Sequence, residues 1–174
     1  NGNFDYLIGA DIDLNNYDVV TELKKWGKWY TDLTALDGFR LDAVKHIRAD
    51  FYPEWLTEIR EHAQKKLFAV GEYWTTSVDV LKNYIAETKE CMHLFDVPLH
   101  YNMYRAAYSN GEYDMSKIFE GSLVKERPDL AVTFVDNHDT EPGQALESWI
   151  PDWFKPHAYA LTLLRKDGLP CIFY

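Results

Sequence analysis

The chain has 174 residues, with 18 Lys and Arg against 28 Asp and Glu, a formal net charge of −10 at neutral pH. Hydrophobic residues make up 47%, aromatics 16% and charged residues 26%, a globular composition about one domain long that excludes disorder, collagen and coiled coil. The acidic surplus repels a phosphate backbone, so nucleic acid is not an expected partner, and no uncharged apolar run approaches the roughly 20 residues of a membrane span. The pattern then alternates between helix and strand. Val19, Leu23, Trp26 and Tyr30 recur at helical spacing behind Asp18, a candidate N-cap. Asp37-Gly38 signals a turn before a strand over Phe39–Val44. Pro53 opens a second helix, with Trp55, Ile59 and Ala63 on one face and Lys65-Lys66 at its end.

A strand over Leu67–Val70 closes on Gly71-Glu72. A helix over Val78–Glu87, with Leu81 and Ile85 inward, precedes a strand over Met92–Leu99. A helix over Met115–Leu123, capped by Asp114, precedes a strand over Leu130–Val135. Pro156 starts the last helix, which runs to Leu164 with Gly168 as its stop, and Leu169–Tyr174 is the fifth strand. The first residue is Asn1 and the last four are still strand-like, so the chain reads as an excerpt of a longer protein, secreted or cytoplasmic. Cys91 and Cys171 have no CxxC spacing and are expected as buried free thiols.

Short apolar strands with a helix in each gap indicate parallel βαβ units. Two architectures suit them, a doubly wound sheet or part of a (β/α)₈ barrel. The polar residues favour the barrel: Asp42, Glu72 and Asp136-Asn137-His138-Asp139 all stand at C-terminal strand ends, which converge on one face in a barrel. The fold class expected is α/β, a partial (β/α)₈ TIM barrel comprising its second half, with flanking helices.

Alternating strand side chains put Arg40 and Asp42 on one face, where the guanidinium favours an ionised carboxylate. Such a group suits a glycosyl nucleophile; alone, it could equally be an Arg–Asp pair holding a loop. Glu72 ends an apolar strand beside Tyr73 and Trp74, a setting that raises a carboxyl pKa and suits a general acid, though a capping Glu fits too. Three carboxylates on three strand ends match glycoside hydrolysis by two carboxylates and a helper. A metal-dependent hydrolase with Asp136, His138 and Asp139 as ligands is the competing reading of the tetrad.

Gly38-Phe39-Arg40-Leu41-Asp42-Ala43-Val44-Lys45-His46, Gly71-Glu72-Tyr73-Trp74 and Phe134-Val135-Asp136-Asn137-His138-Asp139 resemble, in order, three signature segments of the α-amylase family of glycoside hydrolases. Phe95–Leu99 and Gly168–Tyr174 resemble its sixth and eighth strands, and the similarity is nearest to the bacterial liquefying members. The resemblance implies a retaining, endo-acting enzyme on the α-1,4 bonds of starch or glycogen, or a related α-glucan hydrolase or glucanotransferase. It implies Asp42 as nucleophile, Glu72 as acid/base and Asp139 as transition-state stabiliser. Arg40 would orient Asp42, His138 would bind sugar hydroxyls, and Lys45, His46 and Trp74 would contact the glucan. It also implies residues 1–16 as the tail of an inserted calcium-binding domain and 17–174 as barrel, truncated at strand 8. Asp5 and Asp11, with the carbonyl of His46, would hold the principal structural Ca²⁺, and Asp13 would serve a further site, at which Asn15 stands where some relatives carry Asp. The complete protein is expected as a monomer, and the isolated stretch as unstable and inactive, with barrel edges unpaired.

Overall fold

The computed structural model describes residues 12–174. In chain order the elements are α1 (Tyr17–Thr34), β1 (Gly38–Leu41), α2 (Phe51–Ala63), β2 (Phe68–Gly71), α3 (Val78–Glu87), β3 (His93–Phe95), α4 (Val97–Tyr108), α5 (Leu123–Glu126), β4 (Ala131–Phe134), α6 (Lys155–Leu163) and β5 (Leu169–Cys171). The strands pair in parallel, each with the next in sequence, in the order β1-β2-β3-β4-β5. A doubly wound sheet reverses direction at a switch point; this one never does. Right-handed crossovers in one direction put every helix on one face of the sheet and curl it as in a barrel. The strand ends therefore share one rim, which positions the site.

Local chemistry accounts for most element ends. Ser77 caps α3 by accepting from the Val80 N–H, and Leu81, Tyr84 and Ile85 form its buried face. In α1 the cap is Asn16, whose side chain accepts from the Asp18 N–H, rather than Asp18 itself. The buried face of α1 also differs from the apolar stripe. Gly27 and Thr31 are buried against α2, while Trp26 and Tyr30 stack at 5.2 Å and remain exposed. A Cβ on Gly27 would lie 2.7 Å from the Trp55 ring, so the missing side chain is what lets the two helices meet. α2 begins at Phe51, two residues ahead of Pro53.

Further expectations fail. The apolar run Met92–Leu99 is not one strand: β3 stops at Phe95, Asp96 caps the next turn, and Val97 and Pro98 open α4. An apolar run of this length fits a buried strand or a buried helix start equally well. The helix expected over Met115–Leu123 is a single 3₁₀ turn at Met115–Lys117, capped by Asp114, followed after Gly121 (φ +65°) by the short α5. Both cysteines are free, but Cys171 is exposed on the outer strand β5 and Cys91 is only partly buried. The core fills the space between sheet and helices, with Leu56, Ile59, Leu81, Leu94, Leu99 and Met103 fully buried.

Candidate active site

Four strands each deliver a carboxylate just past their C-terminal ends: Asp42 after β1, Glu72 after β2, Asp96 after β3 and Asp136 after β4. Two are turned inward and spent on structure. Asp96, fully buried, accepts the backbone N–H groups of Leu99 (3.0 Å), Leu123 (2.9 Å) and Val124 (2.7 Å), joining the starts of α4 and α5. Burial pushes its pKa up, and the three donors oppose that shift. Asp136 accepts from the Ile150 N–H at 3.1 Å and stands 3.6 Å from the Lys155 ammonium, which lies over the Trp149 ring. Its pKa is likewise raised by burial, with Ile150 and Lys155 pulling it back.

The other two face each other across the strand pair. The Arg40 guanidinium forms an ion pair with Asp42 through Nη1, and its Nη2 lies 3.2 Å from Glu72 Oε2. Two contacts of hydrogen-bond length on one rigid fork hold the nearest carboxylate oxygens within about 8 Å of each other. Backbone register makes this close approach. Leu41 pairs with Gly71, the Glu72 N–H donates to the Leu41 carbonyl at 2.9 Å, and the Val44 N–H donates to the Glu72 carbonyl at 3.0 Å. Between them Ala43 adopts a left-handed conformation (φ 45°, ψ 42°), and its N–H reaches Glu72 Oε2 at 3.2 Å. An Ala in this region costs about 1–2 kcal/mol, a local strain beside the two carboxylates that the surrounding pairing sustains. Glu72 is buried and Asp42 is exposed. The setting of Glu72 is not the purely apolar one expected, because a guanidinium faces it.

Lys45 and His46 follow in the 3₁₀ turn Val44–His46, beside Asp42. Trp74 lies half-buried two residues past Glu72, its indole N–H donating to the Tyr101 hydroxyl at 3.3 Å. Asp139 and His138 stand at the tip of the loop after β4, their side chains 3.3 Å apart. Asn137 shapes that tip by accepting the Asp139 and Thr140 N–H groups, each at 3.0 Å. Asp139 thus lies in the loop past the C-terminal end of β4, the sheet end that also carries Asp42 and Glu72; among the described residues, no hydrogen bond or ion pair joins it to either.

Asp136 does not work with His138 and Asp139 as a ligand set, since its carboxylate is turned to Ile150 and Lys155. Among the described residues no three His, Cys, Asp or Glu side chains are arranged to hold a metal ion. Asp13 is exposed and commits Oδ1 to the Asn15 N–H at 2.9 Å; Asp5 and Asp11 lie outside the described residues. The described residues alone thus do not make up the calcium site that the resemblance implies.

Sequence reasoning passed over His100 and Tyr101, which line the wall behind Trp74 with ring centroids 6.1 and 6.2 Å from it. Asp96 followed two residues later by Pro98 is a helix-start signal that would have placed both on a helix.

A parallel, one-directional sheet whose C-terminal strand ends carry an Arg-bridged carboxylate pair is part of a (β/α)₈ barrel. Comparison with known proteins gives the family. A family model described as "Alpha amylase, catalytic domain" matches residues 4–174, and the chain belongs to that family. It is 57% identical over 174 residues to an alpha-amylase of Geobacillus stearothermophilus, covering all of this chain and 32% of that protein. It is 51% identical over 173 residues to the cytoplasmic alpha-amylase of Escherichia coli (strain K12), covering 99% of this chain and 35% of that protein. The crystal structure of an Anoxybacillus alpha-amylase superposes with a TM-score of 0.73 at 26% identity, over 94% of this chain and 37% of the other. The chain thus spans about a third of the length of the relatives it matches.

Proposed function

We propose that this chain supplies the reacting carboxylates of a retaining, endo-acting α-amylase that hydrolyses α-1,4 bonds of starch or glycogen. The observation that carries the reading is the Arg40 guanidinium shared by Asp42 and Glu72, which ties together the two carboxylates that glycoside hydrolysis needs; retention follows from the family resemblance. Asp42 attacks the anomeric carbon while Glu72 donates its proton to the departing glycosidic oxygen. Glu72, now a carboxylate, takes a proton from water, whose oxygen displaces Asp42 and releases the sugar with its configuration kept. Asp139 stabilises the oxocarbenium-like charge between these steps. Arg40 aims Asp42 through their ion pair. His138 binds sugar hydroxyls, Trp74 offers an aromatic face, and Lys45 and His46 contact the leaving-group side.

In this reading residues 1–16 end an inserted domain and 17–174 are barrel. Ca²⁺ would be held by Asp5 and Asp11 with the His46 carbonyl, with Asp13 serving a further site, and would have a structural role outside the steps above.

The test is Glu72→Gln in the complete protein that contains this chain. Turnover on soluble starch should fall by about 10²–10⁴-fold or more with glucan binding kept, and the parent should release products first in the α-anomeric form by NMR. Parent-like turnover of the variant, or β-anomeric products from the parent, would overturn the assignment.

A further inference from the structure

We propose that His100 is a positioning residue of this site: its two ring nitrogens hold both ends of the loop 136–148 and thereby set where Asp139 stands. The inference rests on the function proposed above. His100 lies in the first turn of α4, fully buried, its ring stacked on Phe134 of β4 at 5.2 Å and 6°. Nδ1 is 2.7 Å from the carbonyl of Val135, the residue before the loop, and Nε2 is 2.8 Å from Oγ of Ser148, its last residue.

The proton positions follow from the partners. A carbonyl only accepts, so Nδ1 carries the hydrogen; Nε2 is then bare in a neutral ring and shares the single Ser148 hydroxyl proton with the Leu146 carbonyl, 2.9 Å from the same Oγ. Burial favours that neutral form.

From Ser148 the contacts run to Asp139 without a gap. The Ser148 N–H donates to the Thr140 carbonyl (3.1 Å), Thr140 Oγ1 accepts the Asn137 N–H (3.0 Å), and Asn137 Oδ1 accepts the Asp139 N–H (3.0 Å). A side chain needed only to fill space beside Phe134 would be apolar. This one satisfies two polar groups, one at each end of the loop that carries the third carboxylate. A loop with both ends tied to one ring holds its tip to the sub-ångström tolerance that catalysis demands.

The test uses Ser148→Ala and His100→Asn in the complete protein, each alone and with Asp139→Asn. Ser148→Ala removes only the hydroxyl, leaving the backbone contact to Thr140. His100→Asn keeps an amide donor at the Nδ1 position and loses the Nε2 acceptor. Each should lower kcat on soluble starch tenfold or more, with KM within about threefold of the parent. In the Asp139→Asn background neither should lower kcat by more than about twofold further, because the carboxylate they position is gone. Parent-like kcat for Ser148→Ala, or an equal loss with and without Asp139, would overturn the inference. Should His100→Asn not fold, the Ser148 pair decides. Glu72→Gln, measured alongside, separates the two failures: an inactive Glu72→Gln with a fully active Ser148→Ala sinks the positioning role and leaves the function standing.

Discussion

Asp96 offers the sharpest quantitative test of how the rim is built. It is fully buried and feeds two helix starts at once, through Oδ1 to Leu99 and Leu123 and through Oδ2 to Val124. Asp96→Ala would strand three buried N–H donors. At about 1–3 kcal/mol for each unsatisfied group, and some relaxation, the loss should be about 5 kcal/mol. Asp96→Asn keeps an oxygen for Leu99 and Leu123 but turns an N–H₂ toward the Val124 N–H, so one bond is lost and the loss should be about half as large. In a complete protein about three times this length that corresponds to roughly 4 °C and roughly 2 °C in Tm. Differential scanning calorimetry of the complete protein and the two variants measures it. An Asp96→Ala variant within about 1 kcal/mol of the parent would refute the role given to the three bonds. An Asp96→Asn variant as stable as the parent would show that the Val124 bond contributes little.

Three further outcomes are expected. Burial lowers the His100 pKa to about 4, below the roughly 6.5 of an unfolded chain. Between those values the unfolded state takes up a proton that the folded state does not. Stability from this group is therefore whole above pH 6.5 and declines by up to about 3 kcal/mol as the pH falls to 4; His100→Asn should flatten the denaturation profile in that window, and an unchanged slope would contradict it. Gly71→Ala would bring a Cβ to 2.7 Å from Met92 Sδ and 3.1 Å from Leu94 Cδ2, so it should cost about 1–3 kcal/mol by thermal unfolding; an unaltered Tm would show that Met92 yields freely. Chelation should lower the Tm of the complete protein, Ca²⁺ should restore it, and Asp11→Asn should shrink the difference; equal melting with and without chelator would remove the calcium assignment.

Elements whose signals are local were legible. α3 starts and ends where expected, because Ser77, Leu81 and Ile85 act within one helix. The stretch 92–99 was not, because an apolar run says "buried" without saying "strand" or "helix"; the cap at Asp96 decided it after β3 had formed only three residues. Of the rim, Arg40 beside Asp42 was foreseeable from the alternation of a strand, a covalent fact of two-residue spacing. That Glu72 shares the same guanidinium was not, since it depends on Leu41 pairing with Gly71 across 30 residues of chain.

From the residue order alone come the parallel helix-strand alternation, the strand-end carboxylates and their likeness to a glycosidase family, because these are properties of neighbours and near neighbours. Which carboxylate stays at the open rim and which is walled in was a matter for the tertiary structure. Asp42 and Asp96 each follow a strand directly, yet one meets a guanidinium at the open rim and the other three backbone N–H groups inside. The difference lies in what packing brings from elsewhere in the chain: Leu123 and Val124 must fold under the sheet before Asp96 has donors to face. A buried charge exists only where such partners close around it.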